Sequence, residues 1–383
     1  MTAAGIVAEY NPFHAGHAYH IAQTRRALGP DTAIVCVMSG NWVQRGDCAV
    51  FDKWTRARAA LDRGADLVLE LPTVWALSSA EGFARGAVSI LAATGVVTHL
   101  SFGSECGDAG SLRQLAACLD SPAYAAALGR QLDSGLPFAV CRQRAAEQLL
   151  GRAPAGLLEY PNNNLGVEYI RALNALKCDI QPVTVPRRGA GHDGGDHPDF
   201  PSASFLREEL RRQGGADVAE LRHCERAILA RLRTMELADW EKLPDSGAAE
   251  GLPRRLERAG RACTSLEEFY DRAKTKRYAH ARLRRLVLWA FLGLTASDRP
   301  EAPPCLRVLG LNGRGRELLR EMKARAAVPV LTKPAHASAL GEDVRRLLTL
   351  EARCTDLYGL CFTQPAPCGR EWTTTPVLVG PDT

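Results

Sequence analysis

Five short apolar runs, the first four each leading into a helix-patterned segment, constrain this chain more than any other feature. Gly5 to Glu9, Thr32 to Met38, Ala65 to Leu71, Val96 to Phe102 and Ile180 to Val185 are rich in β-branched residues, with little alternation of polar and apolar side chains. Continuous runs of that length belong to strands buried on both faces. Helical spacing follows from His14, over Lys53 to Gly64, over Ala80 to Thr94, through the Ala- and Leu-rich stretch 108–150, and from Pro161. A strand that returns to its own sheet through a helix pairs in parallel, by a right-handed crossover. The spacing therefore predicts an α/β fold with a parallel sheet. In such sheets the ligand sits beyond the carboxyl ends of the strands. Chemistry is expected in the strand-end loops Tyr10–His20, Ser39–Gln44, Pro72 and Gly103–Glu105.

The first of these loops is the most informative. Asn11-Pro12 is a turn signal, and apolar residues at helical spacing begin just after His14. A strand, a turn and a helix N-terminus bring backbone N–H groups and the positive end of the helix dipole to one point. His14 and His17 are three residues apart and share a helix face, and Gly16 between them carries no side chain. Two surface histidines and a packing glycine would be the plainer account. Their place directly after a buried strand and turn favours a nucleotide-phosphate site.

Further along, Pro161-Asn162-Asn163-Asn164 opens a helix with three amides, which serve equally well as a cap or as readers of a base or ribose. Gly189 to Gly194 matches the spacing G-x-G-x-x-G, but no helix pattern follows it, so a loop is expected and not a dinucleotide site. Pro201-Ser202-Ala203-Ser204-Phe205-Leu206-Arg207 places hydroxyls ahead of a helix and an arginine in its first turns, a second phosphate-binding pattern. No Walker A sequence occurs, which excludes P-loop chemistry.

Beyond about residue 215 the alternation stops and Arg- and Leu-rich helical segments take over, with a break near Pro244–Pro253 as a hinge. Two domains are expected, 1–215 and 216–383. Lys274 to Arg285 is the strongest basic cluster, with Tyr278 inside it. Leu306 to Arg316 reads as a glycine-rich turn into another helix, and the last twenty residues, with four prolines from Pro365 to Pro381, as an extended tail. A net charge of +5 permits nucleic-acid binding without demanding it. No signal-peptide pattern opens the sequence, and the apolar run Leu286 to Leu294 is too short to span a bilayer, so a cytoplasmic protein is expected. The twelve cysteines contain no Cys-x-x-Cys, and prolines interrupt the spacing of Cys354, Cys361 and Cys368. They read as core residues, and no metal site is expected.

Read together, Glu-Tyr-Asn-Pro-Phe-His-x-Gly-His-x-Tyr-His (9–20), Met-Ser-Gly (38–40), Gln-Arg-Gly (44–46), Asp-Leu-Val-Leu-Glu-Leu-Pro (66–72), Phe-Gly-Ser-Glu (102–105) and Pro-Asn-Asn (161–163) resemble the tRNA(Met) cytidine acetate ligase family, within the HIGH-type nucleotidyltransferase superfamily. Ser-Ala-Ser (202–204) with Arg207, and Thr-Lys-Arg-Tyr (275–278) with Arg282, extend the resemblance over nearly the whole chain. It implies a Rossmann-like, HUP-type catalytic domain followed by a mainly helical one. It also implies formation of acetyladenylate from ATP and acetate, then N4-acetylation of the wobble cytidine of elongator tRNA(Met). By resemblance, ATP contacts Val7, Ala8, Glu9, Tyr10, Asn11, Pro12, Phe13, His14, Ala15, Gly16, His17, Ala18, Tyr19, His20, Gly103, Asn162 and Arg187, with Mg²⁺ carried by the triphosphate. His14, His17 and Arg207 are the expected catalytic residues. Lys274, Lys276, Arg277, Arg282 and Arg285 are the expected RNA contacts. Gly191 stands where the family tends to have an aromatic residue, and Ser204 where threonine is usual.

Two other classes remain open at this stage. A small-molecule adenylylating nucleotidyltransferase, or a ligase acetylating a protein thiol, would share the first 105 residues, and the basic C-terminal cluster argues against both. A non-catalytic RNA-binding protein is disfavoured by the presence of both histidines and Arg207.

Overall fold

A computed structural model describes residues 2–187, 201–213 and 217–380. The strands are β1 (Ala3–Ala8), β2 (Ala33–Ser39), β3 (Trp42–Val43), β4 (Asp47–Cys48), β5 (Leu67–Leu71), β6 (His99–Ser104), β7 (Gln181–Pro186), β8 (Leu306–Leu311), β9 (Val330–Leu331) and β10 (Val377–Leu378). The main sheet runs β10-β8-β5-β2-β1-β6-β7, with β9 beside β8, while β3 and β4 form a separate hairpin. The block β5-β2-β1-β6-β7 is parallel throughout. Its order reverses at β1, which pairs with β2 on one side and β6 on the other, so the crevice opens between the ends of β1 and β6.

The lack of alternation in these strands has a plain cause. In β2, Ala33, Val35 and Val37 join the larger core on one face, while Ile34, Cys36 and Met38 join the smaller core on the other. Successive side chains point to opposite faces, and both faces are covered. Nine of the twelve cysteines are buried and only Cys368 is exposed, in keeping with their reading as core residues.

Two C-terminal expectations are corrected. Leu306 to Leu311 is no turn but a buried strand, β8, antiparallel to β5. Gly310 sits where a Cβ would lie 2.8 Å from Leu61 Cδ1 and 3.0 Å from the Val377 carbonyl oxygen. The tail likewise returns to the sheet, with Val377 opposite Gly310 and Leu378 opposite Leu311. The second half of the chain is thus joined to the first by hydrogen-bonded strands.

A buried ionic cluster reinforces that seam. Lys53 Nζ lies 2.6 Å from Glu70 Oε1 and 2.7 Å from Glu371 Oε2, and Arg307 Nη2 lies 2.9 Å from Glu371 Oε1. Beside them Glu351 accepts the Thr73 N–H at 2.6 Å and the Thr73 hydroxyl at 2.8 Å. All five charged residues are buried. Asn41 belongs to the same patch, accepting the Lys53 N–H and donating to Thr355. The loops after β2 and β5, expected to carry chemistry at Ser39–Gln44 and Pro72, are therefore largely covered by the C-terminal segment. Those after β1 and β6 remain accessible, and Arg187, directly after β7, is exposed.

Candidate active site

The loop after β1 turns sharply. Tyr10 has φ +46°, the Asn11–Pro12 peptide is cis, and His14 is the N-cap of the Ala15–Leu28 helix. The cap is built from two imidazoles. His14 Nδ1 accepts the Gly16 N–H at 3.1 Å, and His17 Nδ1 accepts the His14 N–H at 3.2 Å. A neutral imidazole that accepts at Nδ1 carries its proton on Nε2. Burial, followed by the Arg187 and Arg207 guanidinium charges, pushes His14 down to about 4. Burial, then His14, His20 and Arg187, holds His17 well below the usual histidine range. Both rings are therefore neutral at pH 7, stacked with centroids 3.7 Å apart. Each presents an Nε2–H that meets no acceptor among the described residues.

The space over Gly16 is filled by the His14 ring, since a Cβ on Gly16 would fall 2.9 Å from His14 Cε1 and 3.0 Å from Nδ1. The glycine is required by the cap itself. Tyr10 and Phe13 brace the assembly, with centroids 4.8 Å apart, and the Tyr10 ring packs edge-on to His17 at 4.8 Å.

His20 plays a different part. Thr24 Oγ1 donates to the His20 carbonyl at 2.9 Å, so the Ser101 hydroxyl, 2.6 Å away, donates to Thr24. Ser101 then accepts from His20 Nε2 at 3.0 Å. This closed chain pins the first helix to β6 and leaves His20 without a proton to offer the crevice. Burial and then Arg187 push it down to about 4.

Across the crevice Arg187 follows β7, its Nη1 donating to Asn162 Oδ1 at 2.8 Å and its side chain lying over Gly103. Glu105 anchors the start of the Pro161–Leu176 helix, accepting Asn162 N–H at 3.2 Å, Asn162 Nδ2 at 2.6 Å and Asn163 N–H at 2.8 Å. Buried Asn163 returns the favour, accepting the N–H groups of Glu105 and Cys106. Asn162 and Asn163 thus serve the loop after β6, with Asn162 beside the opening. Ser202 caps the Ala203–Gln213 helix by accepting the Phe205 N–H at 3.1 Å. From that helix Arg207 reaches back to the Asn11 carbonyl at 2.9 Å and the Ser204 hydroxyl at 3.0 Å. His14, His17, Gly103, Asn162, Arg187 and Arg207 therefore surround one crevice. Gly191 and the Gly189–Gly194 loop lie outside the described residues.

Sequence reasoning missed Arg56. It is buried, and its guanidinium donates to the carbonyls of Phe51 (2.9 Å), Glu9 (2.5 Å), Ser39 (3.1 Å) and Gly40. It ties the ends of β1 and β2 to the Lys53–Leu61 helix. Nothing in the helical pattern separates it from a solvated arginine.

The basic cluster is divided by the fold. The Leu266–Ala273 helix stops before Lys274, and the next, His280–Phe291, begins after Ala279. Lys274, Lys276 and Arg277 are exposed on the connecting turn. Arg282 is engaged with the Asp245 carbonyl at 2.9 Å and with Glu250 at 3.4 Å. Arg285 is turned toward the Gln44 carbonyl at 3.4 Å, and its neighbour Arg284 pairs with Asp47 at 3.0 Å.

A family model described as HIGH Nucleotidyl Transferase matches residues 1–371. The chain is 34% identical over 417 aligned residues to the tRNA(Met) cytidine acetate ligase of Syntrophomonas wolfei subsp. wolfei, covering 98% of this chain and 99% of that one. It is 36% identical over 386 residues to the tRNA(Met) cytidine acetate ligase of Caldanaerobacter subterraneus subsp. tengcongensis, covering 94% and 96%. Its fold superposes on the crystal structure of Thermotoga maritima TmcAL bound with alpha-thio ATP with a TM-score of 0.90 at 32% identity, covering 99% of this chain and 100% of that one.

Proposed function

This chain belongs to the HIGH nucleotidyl transferase family and to the tRNA(Met) cytidine acetate ligases, and on that premise we propose that it joins ATP to acetate as acetyladenylate and passes the acetyl group to N4 of the wobble cytidine of elongator tRNA(Met). The observation that carries the reading is the pair of neutral imidazoles at the β1–β6 crevice, each offering an Nε2–H, with Arg187 and Arg207 alongside.

Acetate is ionised at neutral pH, so its oxygen attacks the α-phosphate without a base. Catalysis of that step reduces to holding the nucleotide and offsetting charge on phosphate oxygens. His14 and His17 donate from Nε2 and need no change of protonation. Arg187 and Arg207 supply positive charge, and Gly103 and Asn162 line the nucleotide's other side. Among the described residues no group of three His, Cys, Asp or Glu side chains is placed to hold a metal ion. In the proposal magnesium arrives on the triphosphate, and no step is assigned to it.

The division of labour follows the chain, with nucleotide chemistry in 1–215 and tRNA contact in 216–383. Exposed Lys274, Lys276 and Arg277 are the principal candidates for phosphate contact, since Arg282 and Arg285 are engaged within the fold. Among the described residues no helix is long and apolar enough to cross a membrane, and a tRNA substrate puts the proposed reaction in the cytoplasm. The test supplies ATP and labelled acetate with and without tRNA. Acetate-dependent pyrophosphate exchange without tRNA, and N4-acetylcytidine in digested tRNA(Met), are expected. Absence of acetylcytidine would refute the reading.

A further inference from the structure

We propose that the Glu9 carboxylate accepts the proton released when the cytidine amine attacks acetyladenylate, an inference that rests on the acetyl-transfer reading above. The first half-reaction needs no base, but the second does. The exocyclic amine of cytidine bears two protons and a lone pair delocalised into the ring, and the amide product keeps one proton. In the proposed step the amine nitrogen bonds to the acetyl carbonyl carbon and one of its protons passes to Glu9. The carbon–oxygen bond to AMP then breaks, its electron pair leaving on the phosphate oxygen. Glu9 returns its proton to water afterwards.

Among the described residues, the other candidate proton acceptors around the crevice are engaged. His14 and His17 accept backbone N–H groups at Nδ1 and carry their protons on Nε2. His20 is locked to Ser101, and at about 4 it is a weak base. Both Glu105 oxygens receive donors from Asn162 and Asn163. Asp47 accepts the Cys48 N–H and pairs with Arg284.

Glu9 differs from all of these. It stands at the carboxyl end of β1, where the sheet order reverses, two residues before the carbonyl that holds Arg207. Its Oε1 accepts the Gln44 N–H at 2.7 Å, and its second oxygen accepts no hydrogen bond among the described residues. Arg56 from the Lys53–Leu61 helix, Arg45 from the β3–β4 turn and Arg207 from the Ala203–Gln213 helix face it, as does Tyr169 from the Pro161–Leu176 helix. Burial outweighs the three arginines and raises the carboxyl, toward the range in which a base works best near neutrality.

Glu9→Gln keeps an acceptor for the Gln44 N–H while removing the base. Acetate-dependent pyrophosphate exchange and acetyl transfer to tRNA(Met) are measured on one preparation across pH. Transfer is expected to fall on the order of 10²–10³-fold further than exchange, with loss of the acid limb of the wild-type transfer profile. Glu9→Asp should retain the limb at an intermediate rate. Equal falls in the two reactions, or an acid limb that survives in Glu9→Gln, would overturn the assignment. Wild-type protein that exchanges pyrophosphate yet makes no acetylcytidine would overturn the acetyl-transfer reading, and this step with it.

Discussion

Glu351→Gln should make the protein more stable than wild type in alkali while costing little in mild acid. Glu351 is 4% exposed and sits in the cluster of Lys53, Glu70, Arg307 and Glu371. Burial, and then the Glu70 charge, push its carboxyl from 4.5 up to about 8, against the pull of Lys53 and the Thr73 hydroxyl. The folded chain thus holds this proton more tightly than the unfolded chain does. The resulting stability is complete below about 4.5 and is lost as pH rises toward about 8. At ~1.4 kcal/mol per unit over three to four units, the loss is on the order of 5 kcal/mol. Glutamine mimics the protonated acid: its carbonyl accepts the Thr73 N–H, and its amide faces a hydroxyl that rotates to accept. The variant does not titrate, so its stability relative to wild type should climb steadily from pH 5 to 8.5 and change sign within that range. Urea unfolding at four pH values measures this directly. A difference that stays flat with pH, or that moves toward wild type as pH rises, would refute the reasoning.

Three further outcomes are expected. His17→Ala removes an Nε2–H donor and half of the imidazole cap. Adenylate formation should fall on the order of 10²–10³-fold with a stability loss of about 1 kcal/mol, and wild-type pyrophosphate exchange would contradict the site. Gly16→Ala places a Cβ 2.9 Å from His14 Cε1, which forces that ring off its cap. ATP affinity measured by calorimetry should drop more than tenfold for a melting-temperature change of a few degrees, and unchanged affinity would show that His14 does not meet the nucleotide. Changing Lys274, Lys276 and Arg277 together to glutamate should weaken tRNA binding and lower the slope of log K against log salt by about one per lost phosphate contact. Pyrophosphate exchange in the same triple variant reports that the nucleotide site persists, and an unaltered salt slope would move the RNA surface elsewhere.

The sequence alone fixes what depends on neighbours along the chain. Strand-length apolar runs locate β1, β2, β5, β6 and β7 to within a few residues, because burial on both faces leaves a local signature. The motif around His14, Gly16 and His17 announces a strand, a turn and a helix N-terminus within twenty residues, and the fold assembles it that way. What the sequence could not disclose was how partners distant along the chain would meet. Lys53 and Glu371 lie more than three hundred positions apart, and neither has a local reason to be buried. Leu306 to Leu311 contains Gly310 and runs into Asn312-Gly313, both turn signals, yet it becomes a strand because β5 offers it an edge to pair with. Arg56 looks like any surface arginine until four carbonyls from three separate segments converge on it. The basic run at 274–285 divides for the same reason: Arg282 and Arg285 find acceptors in distant loops, while Lys274, Lys276 and Arg277 stay exposed with no such acceptor among the described residues. Periodicity reports which residues one element will bury, whereas the acceptor that a buried charge requires is supplied only when the elements pack.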